Sequence, residues 1–382
     1  MPIAHDAVFQ GQPDEHAFRV TRVEGTLPPD LAGTVLRSGP GRMELGGDCL
    51  NFFDGHALLA GVTFDGGAAT FRSRFVRTPL NEREAAQKAV LQRRIFTNHP
   101  SRWSNLFALA LGNSGLHDVY AWGDGDALRV CAGSDPGHFA LDPRTLATRG
   151  GENWSGFVAP GQEMGPMPYR DPHSGNLVGW VKQPGGLKPD QLRFVEIDGS
   201  FRVVKATPFL PLGSSPAIVH DQRATARWYV TVEAAARLSP AKAIWGARTV
   251  YEAFAVPPGA TATLLLVPRD GDGPTVRIPL PAPIEVAFHV INAWDDGDSV
   301  VVDLTTYDGR VRFEAAVPPA HRDRLGVTMT HGPLPTPMRF RVDPRAARVI
   351  EARPIGTLPG EAPEVPDHVM GRPYRYAYVP PL

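Results

Sequence analysis

The chain has 382 residues, 42% hydrophobic and 21% charged, enough to bury one large core or two to three ordinary ones. Its 39 basic and 40 acidic residues leave a formal net charge of −1, which excludes a global field that would draw the chain to nucleic acid or an anionic membrane. Cys49 and Cys131 stand far apart without CxxC or Cys/His spacing, so neither a disulfide framework nor a zinc site is indicated, and a reducing compartment fits.

From the N-terminus, Met1 to Gln12 lacks a basic region followed by an apolar core. No later stretch approaches the roughly 20 apolar residues that a spanning helix needs, so the chain is expected to be soluble and cytoplasmic. The spacing of Ala85, Ala86, Ala89 and Val90 predicts a helix over Asn81 to Phe96, with Glu82 and Glu84 early and Arg93 and Arg94 late to complement its dipole. Beyond it, short apolar or alternating runs predict strands at Leu177 to Val181, Leu192 to Ile197, Trp228 to Val232, Ala262 to Val267, Ile284 to Ile291 and Val300 to Thr305. The tract Asn292 to Asp298, with its Asp-Gly step, predicts the turn that joins the last two as antiparallel partners. The 39 Gly and 39 Pro are spread along the chain, which means frequent turns and no linker-like tract. These features give an all-β fold, either tandem sandwiches or a β-propeller, and the absence of a boundary favours a single propeller domain over 1–382.

A propeller's innermost strands converge on one axis, where imidazoles from several strands could share a metal. His289, within Glu285 to Asn292, and His220, after Pro216 to Val219, both lie on apolar strands. Taken singly, each is more often a hydrogen-bonded core histidine than a ligand.

Arg37-Ser-Gly-Pro-Gly41, Asn51-Phe-Phe-Asp-Gly-His56 and Phe71-Arg-Ser-Arg-Phe-Val-Arg-Thr78 follow one another in an order and spacing that resemble the N-terminal signature of the carotenoid cleavage oxygenase (retinal pigment epithelial membrane protein) family. Downstream, Leu141 to Thr148, Val219-His-Asp221, Phe288-His-Val-Ile-Asn-Ala293 and Gly371-Arg-Pro-Tyr-Arg-Tyr-Ala-Tyr378 resemble further segments of the same family, so the likeness spans almost the whole chain. The resemblance implies a seven-bladed propeller in which four axial histidines hold Fe(II) that uses O₂ to split a conjugated double bond of a lipophilic polyene. It places His220 and His289 at the second and third ligands, and Glu361 as the carboxylate behind His289.

Three departures accompany it. Met167, in Met164-Gly-Pro-Met167, stands where the first ligand histidine is expected, and thioether sulfur suits soft metals better than Fe(II). Near Leu128 to Phe139, where a second supporting carboxylate is expected, only Asp135 beside Ser134 occurs. The family continues for roughly two blades past the segment resembling Gly371 to Tyr378, so this chain carries about five blades' worth of sequence and lacks the fourth ligand. His56, His117, His138 and His173 are alternative donors without a ligand motif, and each reads as a surface or core histidine.

The expected function is a carotenoid or apocarotenoid cleavage oxygenase-like protein with impaired or altered metal chemistry. The alternatives are a metal-free protein that binds, isomerises or cyclises an apolar isoprenoid on the same fold, and an inactive truncated homologue. A propeller lacking blades is expected to close on itself or to form a homo-oligomer. Leu238 to Val250, with Lys242 and Arg248 among apolar residues, is the stretch in which peripheral membrane contact would be sought, although a packed loop is the ordinary reading.

Overall fold

A computed structural model describes residues 11–107, 118–134, 137–239, 241–242, 249–308 and 334–380. The described residues fall into two compact units, one within Met1–Glu152 and Pro240–Ala253, the other within Asn153–Ser239, Phe254–Phe313 and Met329–Leu382.

The first unit holds two four-stranded antiparallel sheets. In spatial order these are Ala17–Arg19, Ala68–Phe75, His56–Asp65 and Gly33–Arg42, then Thr148–Glu152, Gly137–Leu141, Arg129–Ser134 and Val119–Trp122. Ala57, Leu59, Val130, Ala132, Phe139, Leu141 and Leu146 form one core cluster of these strands. The helix expected from the sequence is shorter than predicted and runs over Pro79–Gln87. Thr78 caps it by accepting a hydrogen bond from the Asn81 N–H, and Pro79 supplies a fixed φ at the first turn.

Lys88 then turns into the left-handed region at φ 52°, which ends the helix before the arginines expected in its last turn. Tertiary contacts override the helical spacing there. Arg93 and Arg94 are buried, and Arg94 donates to Glu84 Oε2 at 2.9 Å while the Leu91 N–H donates to Glu84 Oε1 at 3.0 Å.

In the second unit three larger antiparallel sheets follow in chain order, besides a two-stranded one of Arg237–Leu238 and Phe254–Ala255. In the third sheet of the chain, Glu163–Met164 and Tyr169–Arg170 both pair with Leu177–Gln183, followed by Gln191–Ile197 and Val203–Ala206. The fourth is Val219–Ala224, Trp228–Glu233, Thr263–Pro268 and Val276–Pro279; the fifth is Val286–Asp296, Ser299–Tyr307, Thr336–Asp343 and Arg348–Pro354. All six strands read from the sequence are present. The expected turn over Asn292 to Asp298 is tighter than read: the strand continues to Asp296, opposite Ser299, and only Gly297, at φ 60°, and Asp298 turn.

The fourth sheet is buried on both faces, which explains its continuous apolar runs. Tyr229, Leu265 and Val267 enter one core with Val178, Trp180 and Phe194 of the third sheet. The alternate residues Val230, Val232, Leu264 and Leu266 enter another with Val300, Val302, Leu304 and Phe340 of the fifth. Buried polar ties join the same layers: Arg269 binds Asp171 and Glu196, and Tyr229 Oη donates to Glu196 at 2.7 Å. The Gly371 to Tyr378 segment anchors to the fifth sheet, where Asn292 Oδ1 accepts from the Gly371 N–H and Tyr374 Oη donates to Asp303.

Candidate metal-donor site

The leading edge of each of the three larger sheets in the second unit breaks register, and in the fifth sheet it does so twice, between Ala287 and Val290 and between Val290 and Asn292. From Val219 to Gln222 the chain takes three steps while its partner takes two, from Glu233 to Thr231, and the extra residue falls at His220-Asp221. From Ala287 to Val290 it again takes three against two, from Thr306 to Leu304, at Phe288-His289. In the third sheet Met164 faces Val181 and Tyr169 faces Val178, five steps against three, and Met167 within this interruption has φ 58°. A bulge re-aims the side chain it carries, which an unbroken strand would point to one of two fixed faces.

The bulges bring His220 and His289 together, with ring centroids 5.0 Å apart at 76°. Behind His289, Glu361 Oε2 lies 2.5 Å from Nδ1. Glu361 is itself buried and accepts from Thr305 Oγ1 and Tyr307 Oη, both at 3.0 Å, and from the Ala362 N–H at 2.6 Å. This carboxylate is fully engaged, which fixes the imidazole proton on Nδ1 and leaves the Nε2 lone pair available. Phe288 packs edge-on against both His220, at 6.0 Å, and Tyr307, at 5.5 Å.

Electrostatics separate the two rings. Burial, with the neighbouring His289, lowers the His220 pKa to about 4, so it is neutral at physiological pH. Burial also disfavours the charged form of His289, but the Glu361 hydrogen bond outweighs it and the pKa is raised. Against the same burial, that bond holds Glu361 below its ordinary carboxylate value.

Met167 is placed at the third interruption, its carbonyl accepting from Gln222 Nε2 at 3.1 Å. The alternative donors are engaged elsewhere. His56 is buried against Glu84 at 2.8 Å, His138 lies 3.5 Å from Asp118, and His173 Nε2 lies 3.0 Å from the Gly371 carbonyl. His117, Asp135 and most of Leu238 to Val250 lie outside the described residues. Sequence reasoning missed Asp221, Gln222, Thr305 and Tyr307; the His-Asp step of the ligand segment was the one signal that could have found Asp221.

Two neutral-capable imidazoles, one with its proton fixed by a carboxylate, suit two positions on one divalent ion. Among the described residues no group of three or more His, Cys, Asp or Glu could hold a metal ion, so the donor set falls short of a complete iron centre.

The family model of the retinal pigment epithelial membrane protein matches residues 9–381. The apocarotenoid-15,15′-oxygenase of Synechocystis is 31% identical over 97% of this chain and 74% of its own length. The isoeugenol monooxygenase of Pseudomonas putida is 27% identical over 74% of this chain and 56% of its own length. A solved variant of the Synechocystis apocarotenoid oxygenase superposes with a TM-score of 0.86 at 29% identity, covering 97% of this chain and 76% of that one; a cobalt-substituted form gives 0.83. The chain belongs to the retinal pigment epithelial membrane protein family of carotenoid cleavage oxygenases, and its all-β fold is the family's β-propeller.

Proposed function

We propose that the chain is a carotenoid or apocarotenoid cleavage oxygenase-like protein, acting on a conjugated double bond of a lipophilic isoprenoid, with His220 and His289 as donors to Fe(II). The single observation that carries this reading is the histidine pair on matching bulges, 5.0 Å apart, with Glu361 behind one of them. The relatives point the same way: one is named for an apocarotenoid and others for isoeugenol, resveratrol and carotenoid, all molecules with conjugated alkenes. Bound iron would supply O₂ activation. The protein's own part is to keep the His289 proton on Nδ1, to keep His220 neutral, and to offer the Phe288 ring as an apolar surface beside the pair.

A metal-free isoprenoid-binding protein is the second reading, favoured by a donor set that among the described residues stops at two imidazoles, with Met167 at the third bulge. Iron content and product formation separate the two. The chain, purified anaerobically and supplied with Fe(II), is incubated with an apocarotenal in air, with His289→Ala as control. Aldehyde products that vanish in the control support the oxygenase. Retinoid-like fluorescence quenching on binding, with no cleavage and no retained iron, would install the second reading instead.

A further inference from the structure

The dipeptide that follows His220 reaches out of its own sheet in both directions. Asp221 is buried, and its Oδ2 accepts from the Val290 N–H at 2.9 Å. Val290 is the residue next to His289, opposite Leu304 on an edge strand with a register shift on either side of it, so the carboxylate supplies an acceptor from outside its sheet. Asp221 Oδ1 accepts from the Gln222 N–H at 2.7 Å and from Arg223 Nη1 at 2.8 Å, which holds the carboxylate in one rotamer.

Gln222, also buried, points the other way. Its Nε2 donates to the carbonyl of Met167 at 3.1 Å, and its Oε1 has no hydrogen-bond partner among the described residues, so the amide is committed from one end to that carbonyl. Met167 holds a left-handed backbone at φ 58°, a conformation that a non-glycine residue keeps only where its surroundings hold it.

We infer that Asp221 and Gln222 are positioning residues that fix the spacing of the three bulges, Asp221 setting His289 against His220 and Gln222 setting position 167. The two backbone groups they bind lie at register breaks: the Val290 N–H between the two shifts of its strand, and the Met167 carbonyl within the interruption of the third sheet. Generic sheet packing would be served by the apolar layers already present; these two hydrogen bonds instead tie bulge to bulge. The inference rests on reading His220 and His289 as a paired-donor site, and its test reads the pair directly, without turnover, so it can fail while the oxygenase reading stands.

The test uses Cu(II) alone, below one equivalent per chain, as a spectroscopic ruler. Electron spin-echo modulation counts the imidazoles bound equatorially, and competition with a chromophoric chelator gives the affinity. The unsubstituted chain is expected to show two imidazoles, and His289→Ala one. Asp221→Ala is expected to show one imidazole and an affinity lower by about tenfold, as for other residues that orient metal ligands, with unfolding monitored in parallel. Asp221→Asn keeps an oxygen for the Val290 N–H and is expected to retain both imidazoles. A folded Asp221→Ala chain with both imidazoles and undiminished affinity overturns the inference. So does an Asp221→Asn chain as impaired as Asp221→Ala, which would assign the effect to the Arg223 ion pair. The Gln222 arm is read separately and does not depend on whether the Asp221 variants fold. Met167→His is expected to add a third imidazole that Met167→His with Gln222→Ala lacks, and a third imidazole in both would overturn that arm.

Discussion

Replacing Glu361 by Met removes an acceptor that four donors share: His289 Nδ1, the Ala362 N–H, Thr305 Oγ1 and Tyr307 Oη. The hydroxyls can turn, and Thr305 has the His289 carbonyl at 3.4 Å as a fallback. The imidazole N–H cannot follow, whereas Ala362 is exposed and its N–H can be met by water. At about 1–3 kcal/mol for a buried donor left unpaired, with about 1 kcal/mol more for the weakened hydroxyl bonds, the variant should lose about 2–4 kcal/mol of the second unit's stability. Glu361→Gln is the informative contrast. Its amide oxygen can face His289 and Ala362 while its NH₂ donates to the two hydroxyls, so the loss should be about 1–2 kcal/mol, that of exchanging charged for neutral hydrogen bonds. Urea unfolding measures both losses, and ¹⁵N imidazole correlations read the His289 tautomer, expected to stay protonated at Nδ1 in the Gln variant and to become mixed in the Met variant. Equal losses in the two variants, or an unchanged tautomer in Glu361→Met, would refute the assignment of Glu361 as the group that fixes the ring.

Three further outcomes follow from buried features. In the first unit, Glu84→Ala leaves Arg94 and His56 facing each other without their shared carboxylate and should cost about 3–5 kcal/mol by urea unfolding, as breaking a buried ion pair does. Gly371→Ala forces a Cβ to 2.6 Å from the Ala224 carbonyl oxygen and 2.7 Å from His173 Nε2 at φ 73°, so thermal unfolding should show a loss of more than about 1 kcal/mol. Glu196 is buried, which alone would raise its pKa, but Arg269, Asn176 and Tyr229 lower it from 4.5 to about 2. Its folded pKa lies below its unfolded one, so the stabilisation is fully present above pH 4.5 and is lost as pH falls toward 2; it amounts to on the order of 3 kcal/mol. Unfolding free energies measured across that window should show this decline, and Arg269→Met should flatten it.

The strands were legible where the physics is local and repetitive. Thr263–Pro268 reads as a strand because both faces are buried, so that every position is apolar or nearly so. The helix was legible at its start, where Thr78 and Pro79 act within one turn, and illegible at its end. Glu84 is claimed there by His56 and Arg94, and no periodicity in the run Ala85 to Phe96 records that competition. In the site, His220 and His289 could be found from their short segments, and Glu361 could be paired with His289 through the family resemblance despite a separation of 72 positions. Gln222 could not, and Asp221 only through the His-Asp step of its segment, because their partners are backbone groups at register breaks, and a break of one residue leaves no mark in composition or alternation.

A sheet with no outward face has a kinetic meaning as well. The middle strands of the fourth sheet, Trp228–Glu233 and Thr263–Pro268, bond each other from Trp228 opposite Pro268 to Glu233 opposite Thr263, with apolar layers above and below. Their amide hydrogens have no local route to solvent, so deuterium should reach Tyr229 to Val232 and Leu264 to Leu266 only through opening of the whole unit. His220 is carried on the strand that flanks this slow-exchanging block. Whatever ligand the pair accepts, the His220 imidazole is carried directly beside a block that exchanges only when the whole unit opens.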